Sequence, residues 1–102
     1  MHLPAFLASS TTILQREMLR RQLVEDAIPL FDSRIRSRLQ AWPRPEVAGY
    51  VRARAGATFR AGLLGFDHLL DHQQQADLIS EVVAELVKLL HAEVRRPKRL
   101  AA

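Results

Sequence analysis

The chain has 102 residues, a formal net charge of +4 and no cysteine. That length holds one domain with a modest core and leaves no room for a second. The missing cysteine excludes disulfides, thiolate metal sites and cysteine nucleophiles.

Hydrophobic residues make up 48% and charged residues 25%, so the chain can bury a core and whole-chain disorder is not expected. Four glycines and five prolines among abundant Leu and Ala favour helix. No run of β-branched and aromatic residues alternates with period two. No apolar run approaches the roughly 20 residues of a membrane span. The apolar stretch of MHLPAFLASS is too short for a signal peptide and lacks a basic start. A cytoplasmic protein without a membrane partner is expected.

Residues 1–10 read as an extended segment, 11–95 as one helical domain and 96–102 as a basic, flexible tail. Thr12 with Gln15 suggests a capping box at the first helix. Leu14, Met18, Leu19 and Leu23 follow, then a stripe Val24, Ile28, Phe31, Ile35, Leu39 and Trp42 at steps of three and four. Pro29 lies inside that stripe and predicts a kink or split, with Asp26 as the cap of the second piece. Trp42-Pro43-Arg44-Pro45 ends the pattern, because residues before proline avoid the α region. Pro45 and Glu46 then suit the start of a helix. This helix is expected to reach about Leu70 and carries Val47, Val51, Ala55, Phe59, Gly62/Leu63, Phe66 and Leu69/Leu70 on one broad face, with Gly65 as an interruption or cap.

Residues 71–77 contain no large apolar side chain and read as a turn. A last helix from about residue 76 to 95 carries the stripe Ile79, Val83, Leu86, Leu90 and Val94. Leu78, Val82, Val87 and Leu89 widen it over most of the circumference. A short chain has few helices to surround such a surface. The expected fold is therefore all-α: an antiparallel bundle of three long helices, the first kinked or split near Pro29, completed by a second subunit across that stripe. Gly49, Ala53, Ala57, Ala61 and Gly65 recur every fourth residue and predict a close helix–helix contact.

Charge is blocked along the chain. Residues 34–60 carry seven arginines against Glu46, net +6. Residues 61–94 carry six carboxylates against Lys88, net −5. Arg34, Arg38, Arg52, Arg54 and Arg60 are candidate contacts to phosphates or to an acidic partner, because guanidinium forks match both. The near-equal opposite block favours acidic protein surfaces, in the same chain or in a partner. A helix-turn-helix is not supported, because the helix after Pro45 is long and rich in alanine.

Asp67-His68-Leu69-Leu70-Asp71-His72 is the one cluster with ligand spacing. On a helix His68 and His72 would share a face with Asp71 beside them, and His2, His91 or Glu93 would complete a metal site. The competing expectation is a wet helix end, so no metal and no cofactor is assigned. The glycines at 49, 56, 62 and 65 match neither phosphate-loop spacing, and no Gly-x-Ser-x-Gly elbow exists. No catalytic residue is assigned and an enzyme is not expected. Leu100-Ala101-Ala102 resembles the end of the bacterial ribosome-rescue tag over three residues, which implies a degradable tail.

The resulting expectation is a small, bacterial-type, non-enzymatic interaction protein: a regulator, adaptor or chaperone that acts as a homodimer on a further protein partner. The alternative is a nucleic-acid-binding protein that uses the arginines of 34–60 and the basic tail.

Overall fold

The computed structural model describes residues 3–92, with side chains over 13–91. Among them the chain is all-helical, with four α-helices: α1 (Leu3–Ala27), α2 (Ser33–Leu39), α3 (Arg44–Leu63) and α4 (His72–Ala92). A 3₁₀ turn, Ile28–Leu30, separates α1 from α2. The split at Pro29 is therefore real, and it yields two helices where the sequence reading counted one.

Each boundary has a local cause. Helix α1 starts at Leu3, with Pro4 in its first turn, where no intrahelical N–H is needed. Residues 3–10, expected to be extended, are thus helical, and Thr12 and Gln15 fall inside the helix. Pro29 allows the 3₁₀ turn but no continuation, and Phe31 (φ −118°, ψ 87°) leads out of it. The cap of α2 is Asp32, whose Oδ1 accepts from the Ile35 N–H at 2.9 Å. Asp26, expected in that role, instead accepts from Gln22 Nε2 within α1.

Helix α3 starts where the proline argument put it, with Pro43 extended (ψ 149°) before Arg44. It ends at Leu63, and Gly65 takes φ +88°, a left-handed geometry that suits glycine. The start of α4 differs from expectation. Asp71 Oδ1 accepts from the Gln74 N–H and Gln74 Oε1 accepts from the Asp71 N–H, both at 2.8 Å. That reciprocal pair is a capping box and begins the helix at His72, about one turn early.

The core is wholly apolar among the described residues. Helix α3 contributes Val47, Val51, Ala55, Phe59 and Leu63. Helix α1 contributes Leu19, Leu23, Val24 and Ala27. Leu78, Val82, Val83, Leu86, Val87 and Leu90 of α4 lie between them. Helix α4 meets α1, α3 and α2, and Gln40 Nε2 donates to the Leu90 carbonyl at 2.5 Å to fix the end of α2. Apart from Leu89, which is 41% exposed, the described apolar face of α4 is thus covered inside one chain. Val83, Leu86 and Leu90, expected at a subunit interface, are 2%, 0% and 5% exposed. Ile79 packs half-buried at the core edge, and Val94 lies outside the described residues.

The close helix–helix approach also falls elsewhere than expected. Gly49, Ala53, Ala57, Ala61 and Gly65 are all exposed, and nothing lies within 4 Å of a Cβ added at Gly49. The tight point is Gly62, where a Cβ would sit 2.5 Å from Cδ2 of the fully buried Leu23. Gly62→Ala is expected to cost about 1–3 kcal/mol through overpacking of α1 against α3. Gly49→Ala is expected to stabilise by roughly 0.5–1 kcal/mol, because an open helix interior favours alanine. Urea midpoints of the two variants should move in opposite directions; movement in the same direction would contradict this placement.

Candidate functional site

Two charged surfaces emerge, and they behave differently. The first is the seam between α1 and α4. Arg16 donates to both oxygens of Glu81, at 3.0 and 2.7 Å. Glu17 accepts from Arg20 and Arg21 along α1. Arg20, Glu81, Ala84, Glu85 and Lys88 line a shallow depression on this seam. The hydrogen bond from Arg20 holds the Glu17 carboxyl down at about 2, helped by the charges of Arg20 and Arg21 and opposed by slight desolvation. The Arg16 hydrogen bond likewise lowers Glu81. Glu81 of α4 therefore finds its partner on α1.

The second surface is formed by α2, α3 and the corner between them. Arg34, Arg38, Arg44, Arg52, Arg54 and Arg60 are all exposed. Among the described residues, none of these six forms an ion pair with a carboxylate. Two of them bond to neutral acceptors. Arg52 Nη2 donates to Ser80 Oγ at 3.2 Å, and Arg54 Nε donates to the Leu30 carbonyl at 2.7 Å. Arg36 Nε donates to the adjacent Phe31 carbonyl, also at 2.7 Å. A Cβ at Gly56 would lie 3.4 Å from Nη1 of Arg60, so that guanidinium runs back along α3 toward Arg52. Arg52 leans toward α4 and Arg54 toward the 3₁₀ turn, which leaves the exposed small residues Ala53 and Ala57 between arginine-bearing flanks.

Trp42 stands at the corner, 37% exposed. Its ring meets Tyr50 at 5.6 Å and 86°, and Tyr50 meets Phe31 at 6.2 Å and 67°. Arg38 and Arg44 bracket it in sequence. The sequence reading used Trp42 as the end of an apolar stripe and the start of the Trp42-Pro43-Arg44-Pro45 turn, and did not single it out as a surface group.

The Asp-His cluster does not lie on a single helix. His68 lies in a turn and stacks on Phe66 (6.5 Å, 16°), while His72 is the first residue of α4. They do not share a helix face, and Asp71 is occupied in the capping box. His91 stands at the other end of α4, about 28 Å away by helical rise. Among the described residues, no group of three or more histidines, cysteines or carboxylates is arranged to hold a metal ion. His2, Glu93 and the Leu100-Ala101-Ala102 end lie outside the described residues. No described helix is long and apolar enough to cross a membrane.

The lowered carboxyls set a pH dependence. Glu17 and Glu81 bind protons less readily in the folded than in the unfolded chain. Their contribution is present above the ordinary carboxylate range and is lost as pH falls below it, for Glu17 toward about 2. Urea unfolding between pH 7 and 2.5 should show this acid-side loss, and Glu81→Gln should flatten it. An unchanged pH slope in that variant would mean the Arg16–Glu81 pair does not stabilise the seam.

Compared with protein-family models, with curated proteins and with solved structures, the chain shows no match.

Proposed function

We propose that this chain is a small non-catalytic nucleic-acid-binding protein that acts through the arginine surface of α2 and α3. The observation that carries the reading is the six exposed arginines without a carboxylate partner among the described residues. The sequence reading favoured a protein partner because an acidic block balanced the basic one. In the folded chain the ion-paired acidic residue of α4 turns to α1, while the basic surface stays open. A protein that leaves so many guanidiniums unneutralised carries a strong positive field, which attracts polyanions and holds phosphates by two-pronged hydrogen bonds.

The experiment is a salt titration. A labelled 20-nucleotide probe, single-stranded and duplex, is followed by anisotropy between 50 and 300 mM salt. Binding is expected to weaken linearly on a log–log plot, with a slope of roughly −0.7 to −0.9 per phosphate contacted. Arg52→Gln with Arg60→Gln should reduce that slope by about one to two. Absence of binding at 50 mM salt sinks the reading.

A second reading keeps a protein partner, and one observation favours it. Ile13, Leu14 and Met18 of α1 are 68%, 65% and 70% exposed, an apolar patch that association would cover. The homodimer, where it forms, would use this patch in place of the α4 stripe. Light scattering should then give twice the monomer mass, falling to the monomer mass in a Leu14→Glu, Met18→Glu variant. A monomer at all concentrations removes this reading.

A further inference from the structure

We infer that Trp42, with Arg38 and Arg44 on either side, is a subsite for an unpaired nucleobase, so that this protein prefers single-stranded nucleic acid to duplex. The inference rests on the nucleic-acid reading above and narrows its substrate class.

An indole is among the largest apolar side chains, and burying it would favour folding. Here it stays 37% exposed although an apolar core lies close by. The turn holds it there: the Ala41 N–H donates to the Arg38 carbonyl at 3.2 Å and the Trp42 N–H to the Leu39 carbonyl at 3.1 Å. Pro43 follows at once and fixes the chain into α3. Tyr50 steadies the ring edge-to-face, and Tyr50 is itself set against Phe31, which is 1% exposed. The three rings form a line from core to surface. The indole is therefore held in place by the core and still open to a ligand.

Its neighbours give the ligand its charge. Arg38 closes α2 and Arg44 opens α3, both exposed and both without an ion pair among the described residues. An aromatic platform with unpaired arginines four residues before it and two after it in sequence suits a flat base between phosphates. In a duplex the bases are already stacked and paired, so the platform gains nothing. In a single strand each base presents a face. An acidic polypeptide would satisfy the arginines and leave the indole unused.

Trp42 is the sole tryptophan of the chain, so its fluorescence reports this subsite directly. The full chain is titrated with a 15-residue oligothymidylate, with a duplex of equal length, and with polyglutamate. The single strand is expected to quench Trp42 and to bind more tightly than the duplex. Trp42→Ala should weaken single-strand binding, read by anisotropy of a labelled strand, by about 10-fold, while duplex binding changes little. Trp42→Phe, which keeps an aromatic face, should recover most of the loss and separates stacking from misfolding. Salt-dependent binding that is equal for strand and duplex and indifferent to Trp42→Ala overturns the base subsite while the arginine surface stands. Binding of polyglutamate alone overturns both.

Discussion

Helix α4 has to be covered on three sides before any other part of the chain can settle. Leu78, Val82 and Leu86 are fully buried, and Val83, Val87 and Leu90 nearly so. Burying a side chain of this size is worth roughly 1.5–3 kcal/mol, so the helix cannot leave this face in water. One neighbour cannot cover so wide a surface. The split at Pro29 supplies the geometry: α1 lies on one flank, α2 turns away to meet the end of α4, and α3 folds back on the other flank. Without the break, one long helix would have to serve both places.

That arrangement also distributes the charge. Once the apolar face of α4 is turned inward, its polar strip lies beside α1, where Arg16 meets Glu81. At such exposure the pair is worth at most about 1 kcal/mol, so it does not drive the fold. Its consequence is selective. Glu81 is engaged by Arg16 of α1, and among the described residues no ion pair reaches Arg34, Arg38, Arg44, Arg52, Arg54 or Arg60. Blocks that nearly cancel in sequence thus leave six exposed arginines without an ion pair among the described residues.

Much of this was legible in the sequence, and the failures have physical causes. The all-helical class, the break at Pro29 and the start of α3 after Pro43 follow from local rules that tertiary structure did not override. The inward stripe of α3 was legible for the same reason. The outward turn of the small residues was readable too. Gly49, Ala53, Ala57 and Ala61 stand two residues from Val47, Val51, Ala55 and Phe59, which is about 200° around a helix. Burying the second set exposes the first. The start of α4 was missed because three glutamines resemble a linker, while the Asp71–Gln74 spacing of a capping box was present. The cover over α4 was not legible. Periodicity says which residues must be buried and not whether the cover comes from the same chain. The same gap misplaced the candidate site: Val83, Leu86 and Leu90 were assigned to a subunit interface, whereas the exposed arginines could be named but not shown to be unpaired.

The way the arginines are held bears on how they would bind. A free arginine loses considerable rotamer freedom when it closes on a phosphate. Arg54 and Arg36 are each tethered through Nε to consecutive carbonyls at the end of the 3₁₀ turn. Such carbonyls lack helical partners, so the tether also satisfies the broken helix. The Nε of Arg54 is used in this way and its terminal nitrogens remain for a ligand. Arg60 is laid along Gly56, and Arg52 is pinned to Ser80. The proline that lets α1 and α2 embrace α4 therefore also leaves the backbone carbonyls that orient part of the arginine surface, and folding and binding depend on the same break.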